Sequence, residues 1–178
     1  TSPYQVTGCN KLAFQPKLHV RIFGPTTRAK NTRIRAILEA RNGDANLART
    51  ALNLPHSLFL DQGHISQICT RPQFANHNCP PGSVYGHVKV LTPLLEEPMS
   101  GDAILRSSDH TLPDLVFTLK GHGIEVDLAG KIDSVKGGLR GTFPTIPDAP
   151  VTKFELVMGA GKHGLLVGYT DDAHPDKA

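Results

Sequence analysis

The chain has 178 residues, 39% of them apolar, and a formal net charge of +3. That length and apolar content support a real hydrophobic core in one domain or two small ones, which sets aside a disordered chain. No apolar run approaches the roughly 20 residues that a membrane-spanning helix needs, and the lack of Trp with 17 Gly and 14 Pro suits a turn-rich β protein.

In chain order, the first patterned segment is 18–23. Leu18, Val20 and Ile22 alternate with His19, Arg21 and Phe23, the period of two that a half-buried strand requires. Ile34, Ala36 and Leu38 alternate with Arg33, Arg35 and Glu39, interrupted by Ile37. A strand is expected here too, although these residues also favour helix. Basic residues crowd the region: Arg28, Lys30, Arg33, Arg35, Arg41 and Arg49 are opposed only by Glu39 and Asp44. Such a patch attracts a polyanion, either nucleic acid or an anionic cell-wall polymer. The plainer account is a charged strand face that discourages edge pairing. Nucleic acid is the poorer partner, because aromatic residues for base stacking are nearly absent.

Over 57–69, Leu58, Leu60, Ile65 and Ile68 have rough helical spacing and Asp61 is placed to cap a start. One or two short helices are therefore expected within 57–75, with Gly63 as the weak point. Cys69 and Cys79 stand ten residues apart, with Pro72 between them and Pro80-Pro81 after. A disulfide closing this loop contributes roughly 2–3 kcal/mol by chain entropy and implies an oxidising compartment. Two reduced thiols, or a metal pair with His77 between them, are the alternatives; the spacing matches no recognised zinc site. Cys9 is left without an evident partner.

From Gly82 onward, short alternating runs closed by Gly, Pro or Asp follow one another. Strands are expected at 84–90, 103–106, 115–119, 123–133, 139–143, 151–158 and 165–169. Ile124, Val126 and Leu128 point one way and Glu125 and Asp127 the other. Leu115, Phe117 and Leu119 precede Gly121-His122-Gly123, so the two runs form a hairpin. Gly130 is expected to bulge the second run. The Pro-rich segment 143–150 is read as a loop crossing between sheets, since proline donates nothing to an interior ladder. His122 and His163, each beside glycine, are expected at hairpin tips. The tail 171–178 is read as flexible or as a linker. Strands this short and frequent make a mainly β fold, antiparallel and β-sandwich-like or an open barrel. The expected organisation is one module over 1–170, with a possible N-terminal sub-part over 1–54.

Candidate chemistry is sparse. Ser107, Ser108, Asp109 and His110 cluster ahead of Asp114, and hydrolase chemistry would bring a Ser to His110 with Asp114 or Asp127 as orienter. There is no G-x-S-x-G elbow, and neighbours along one strand rarely face each other, so a polar loop satisfying its own backbone is the stronger reading. Glu125 and Asp127 share a strand face at a spacing of about 7 Å, within the range of a glycosidase carboxylate pair. With Lys131 beside them, a solvated sheet face with cross-strand ion pairs is the ordinary explanation, and a sugar-cleaving site would also want aromatic platforms, whereas Phe, Tyr and Trp make only 6% of the chain. Nine His are scattered without H-x-H or H-E-x-x-H spacing. A site from His87, His110 and His122 would need distant loops to converge, and no metal or other cofactor is expected. Lys131 or Lys153 has the chemistry for an internal amide crosslink to Asn or Asp, which the spacing does not require.

The stretches LDQGHISQICTRPQFANHNCPPGSVYGHVKVLTPLL, LPDLVFTLKGHGIEVDLAGKIDSVKGGLRGTF and PDAPVTKFELVMGAGKHGLLV resemble a repeated module of large predicted secreted proteins of actinobacteria. The likeness covers nearly the whole chain from CNKLAFQPKL at Cys9 onward. In that family the segment after GLLV runs on to a further cysteine; here Gly168-Tyr169-Thr170-Asp171-Asp172 stands instead, which accounts for the unpartnered Cys9. The resemblance implies an extracellular or surface β-rich module with no activity that can be named. No secretion signal is visible, and the chain opens on Thr1 rather than Met, as it would if a leader had been removed. The expectation is a secreted or cell-surface structural or adhesive module. It would bind neighbouring modules or an anionic surface polymer through exposed loops or through Arg28, Lys30, Arg33, Arg35 and Arg41, without catalysis. The alternative is a small secreted hydrolase of polysaccharide or ester built on Ser108, Asp109, His110, Glu125 and Asp127.

Overall fold

The computed structural model describes residues 11–24 and 30–168, most of them in or between antiparallel strands. In chain order the strands are β1 (Lys17–Phe23), β2 (Lys30–Asn31), β3 (Arg33–Glu39), β4 (Thr50–Asn53), β5 (Leu58–Leu60), β6 (Val84–Leu91), β7 (Met99–Arg106), β8 (Asp114–Gly121), β9 (Ile124–Val135), β10 (Gly138–Phe143), β11 (Lys153–Met158) and β12 (Leu166–Gly168). One short helix, α1 (Arg71–Ala75), and 3-10 turns at Gln62–His64, Pro81–Ser83 and Gly161–His163 complete the elements. No helix among the described residues is long and apolar enough to cross a membrane.

Nine strands form one curled sheet in the order β1-β3-β11-β6-β7-β8-β9-β10-β4, a half-barrel, and β2-β12-β5 form a small second sheet. The mainly β, antiparallel fold that the alternation requires is therefore present in its open-barrel form. Leu58 of β5 and Leu166 of β12 belong to the same buried cluster as Val88, Leu105, Phe117 and Leu119 of the large sheet. Each such side chain contributes about 1.5–3 kcal/mol when fully buried, so the small sheet and the half-barrel stand on one core.

In the middle of the large sheet burial extends to both faces. Ala103, Ile104 and Leu105 are consecutive and all buried, as are Val116 and Phe117, although a strand turns successive side chains to opposite sides. The segment from Cys69 docks onto this region. The Cys69 N–H donates to the Leu105 carbonyl and the Ser107 N–H to the Cys69 carbonyl, each at 2.9 Å. Cys69 and Cys79 are joined by a disulfide with Cα atoms 5.1 Å apart.

Turn chemistry sets the registers. His122 and Gly123 have φ of 53° and 74°, the left-handed pair that a tight two-residue hairpin requires between β8 and β9. Lys136 and Gly137, at 52° and 81°, repeat the device between β9 and β10. Gly130 does not bulge β9, since its ladder with β8 runs unshifted from Asp114 opposite Lys131 to Gly121 opposite Ile124. It instead makes room for Phe143, whose ring lies 2.5 Å from where a Cβ would stand. That ring stacks on Phe117 with centroids 4.7 Å apart. The register shift occurs elsewhere, between Val84 and Gly86 of β6.

Three further expectations are corrected. The helical spacing over 57–69 is not one helix: Leu58–Leu60 is a strand whose Leu60 lies opposite Leu166, and only Gln62–His64 turns helically after Asp61. The pairing partner, distant in sequence, overrides a weak local periodicity. The α-helix comes later, where Thr70 and Gln73 form a capping box and a proline enters the first turn. The Pro-rich 143–150 loop crosses within one sheet, from β10 to the slot of β11 between β3 and β6. His163 sits in a 3-10 turn that carries the chain from the large sheet to the small one, while His122 is at a hairpin tip as expected. Cys9, Arg28 and the 171–178 tail lie outside the described residues.

Candidate functional site

The outer face of β7, β8 and β9 carries Asp102, Asp114, Glu125 and Asp127, and His110 of the loop between β7 and β8 reaches it. Register sets Thr118 between Asp102 and Asp127, Asp114 between Arg106 and Lys131, and Lys120 opposite Glu125. The helix α1 overlies one end, with the Phe74 ring 5.2 Å from the Arg106 guanidinium carbon.

Asp114 is the hub of this face. Its buried carboxylate accepts from Arg106 Nη2 at 2.8 Å and lies 3.0 Å from His110 Nε2. His110 Nδ1 is enclosed without a hydrogen-bond partner and stands 4.0 Å from Asp133. The base and orienter of a hydrolytic triad are thus in contact, but the nucleophile is not. The Ser108 hydroxyl lies 2.9 and 2.6 Å from the backbone carbonyls of His110 and Leu112 and accepts from the His110 N–H. It closes its own loop, as Ser in such a position commonly does. Asp109 turns away toward Arg71 at 3.5 Å. Its own backbone N–H, then the Arg71 charge, hold its carboxyl below the usual range.

Glu125 and Asp127 share the face and diverge in acidity. Glu125 accepts from Lys120 at 2.9 Å and stands 3.6 Å from His77 Nδ1. The Lys120 hydrogen bond is the main cause that holds it below the ordinary carboxylate range. Asp127 is pushed upward, first by burial and then by the charge of Glu125. Environments that separate two carboxylates in this way are a mark of acid and base roles. Here the two lie side by side on a pleated strand; a surface depression lies elsewhere, lined by Ala40, Arg41, Asp44, Leu47, Pro150 and Thr152.

His87, His110 and His122 have separate partners or places rather than a shared site. His87 pairs with Asp102 at 2.9 Å, His110 with Asp114, and His122 occupies a turn. Among the described residues no group of three His, Cys, Asp or Glu is placed to hold a metal. Lys153, considered for an amide crosslink, stands 3.9 Å from Glu39 as an ion pair.

The basic stretch is divided by the fold. Lys30 belongs to the small sheet, Arg35 is tied to Glu155 at 2.8 Å, and Arg41 to Asp44 at 3.0 Å; the Arg41 hydrogen bond holds the Asp44 carboxyl below its usual range. Arg33 remains exposed on β3. What sequence reading missed is the company Arg33 and Arg35 keep, since Phe23 lies opposite Arg33 and Arg21 opposite Arg35, and Lys17, His19 and Arg21 share that face of β1. All seven residues of β1 are exposed. The alternation was visible beforehand; the signal for an edge position was not, because it depends on which strand lies beside it. No family model matches the chain, and neither the curated proteins nor the solved structures contain a match.

Proposed function

We propose that this chain is an extracellular structural or adhesive module of a larger secreted or surface protein, and that it works by binding a neighbour rather than by catalysis. One observation carries the reading: β1 is a seven-residue strand at the end of a nine-stranded sheet, every residue of it exposed. Charges on an edge strand discourage chance pairing, yet β1 also leaves Leu18, Val20 and Ile22 49%, 42% and 41% exposed as an unfinished apolar row, which a chosen neighbour would cover. The Cys69–Cys79 disulfide is what an oxidising compartment supplies. The test is to recover the protein from its natural host by fraction and map its cysteines without reduction. Medium or envelope protein with Cys69 linked to Cys79 is expected; cytoplasmic protein with free thiols defeats the reading.

A second reading, a small secreted hydrolase of polysaccharide or ester, is favoured by the opposed acidities of Glu125 and Asp127. It expects turnover of chromogenic glycosides or esters that Asp127→Asn and Glu125→Gln both abolish. Absence of turnover by the wild-type chain removes it.

A further inference from the structure

We infer that β1 is a strand acceptor whose ligand is an extended segment of another polypeptide, with apolar residues at alternate positions and Asp or Glu between them. This deepens the binding-module reading and rests on it.

Among the described residues β1 hydrogen-bonds to β3 alone, so alternate backbone groups along its far side are open to a further strand. The opposite edge is treated differently, for β4 has four residues and its Asn53 side chain accepts from Arg140 Nε at 2.7 Å. The two faces of β1 then define the ligand. Leu18, Val20 and Ile22 stand opposite Leu38, Ala36 and Ile34. They therefore continue the side of the sheet on which Ile34 and Ala36 are buried, yet they remain 49%, 42% and 41% exposed. An added strand with apolar residues at every second position would extend that row.

The other face presents Lys17, His19 and Arg21, with Arg21 directly opposite Arg35. Like charges placed directly across a ladder repel, and Arg35 alone of this group has Glu155 as an acid partner in hydrogen-bond contact. Carboxylates on the incoming strand relieve this. The same charges argue against a second copy. Antiparallel self-pairings centred on Arg21 or on His19 keep the apolar row on one face but set cation against cation, Arg21 against itself in the first and Lys17 against Arg21 in the second.

The experiment uses the full chain and three synthetic peptides matched to β1 in length: alternating Val-Glu, alternating Val-Lys, and the Val-Glu peptide N-methylated at alternate amides. Affinity is read by anisotropy, and hydrogen exchange of the β1 amides by NMR. Expected are binding of Val-Glu with slowed exchange in β1, about tenfold weaker binding of Val-Lys, and loss on N-methylation. Arg21→Glu should reverse the charge preference. The inference is overturned by no Val-Glu binding up to about 1 mM, by binding indifferent to charge or N-methylation, or by unchanged β1 exchange. Concentration-dependent self-association that Val20→Lys abolishes would name a second copy instead. An anionic polysaccharide that binds while the peptides do not would also overturn it. Peptide failure with the protein still found outside the cell and its disulfide closed leaves the module reading intact. Cytoplasmic protein with reduced thiols defeats that reading whatever the peptides do.

Discussion

The carboxylates of the β7–β9 face show how one residue type is given different work by its surroundings. Asp114 is 6% exposed and holds both Arg106 and His110. Asp114→Ala strands a guanidinium in a partly buried site and should cost about 3 kcal/mol, measured as a lower urea midpoint with unchanged slope. Asp127 makes the opposite case. Its folded pKa is raised above the ordinary 3.8, so the folded state binds its proton more tightly than the unfolded chain. Stability from this group is greatest below 3.8, falls as pH rises through the interval up to the raised value, and stays lost above it. Asp127→Asn should therefore be more stable than wild type at pH 7, with the gap closing near pH 3. Denaturation across that pH range decides it, and a variant weaker at neutral pH defeats the assignment. Glu125 runs the other way: its folded pKa is lowered, so its contribution is present above 4.5 and disappears as pH falls through the folded value.

Among elements, the hairpin turns and the disulfide loop carry most of the local specification. Lys136 is held at φ 52°, where Asn is accommodated far better than Lys. Lys136→Asn should stabilise the β9–β10 hairpin by about 0.5 kcal/mol, seen as a raised thermal midpoint. The Cys69–Cys79 loop spans ten residues, and reducing it should lower stability by about 2–3 kcal/mol. Because α1 is only five residues long, too short to stand alone, reduction should also speed amide exchange in 70–78 before it touches β8. Uniform loss of protection across the sheet would show that the loop and the half-barrel unfold as one unit.

For the whole molecule, β11 is the keystone. It lies between β3 and β6, and its Glu155 is bonded to Arg35 across 120 residues of chain. A chain ending at Pro150 would leave β3 and β6 without their shared partner and split the nine-stranded sheet. Such a truncation should lose cooperative unfolding and protection in β3, while a truncation at Gly168 retains both. Preserved β3 protection without β11 would contradict the topology. The integration is also visible at the ends: β1 and β3, from the first 54 residues, build one edge of the large sheet, and β4, from the same region, builds the other.

What the sequence determined by itself was local. Alternation at period two marked β3, β6, β8, β9, β10 and β11, because the direction of each side chain depends only on its own backbone. Glycine placed the β8–β9 turn, and cysteine spacing admitted the disulfide. Tertiary structure alone decided what depends on neighbours distant in sequence. It turned the apparent helix at 58–60 into a strand of the small sheet and made Asp114 rather than Ser108 the centre of its cluster. It set Glu155 against Arg35 and left Arg21 facing solvent at a bare edge. Strand order is a sum of many weak, long-range pairings, and no single window of residues records which pairings win.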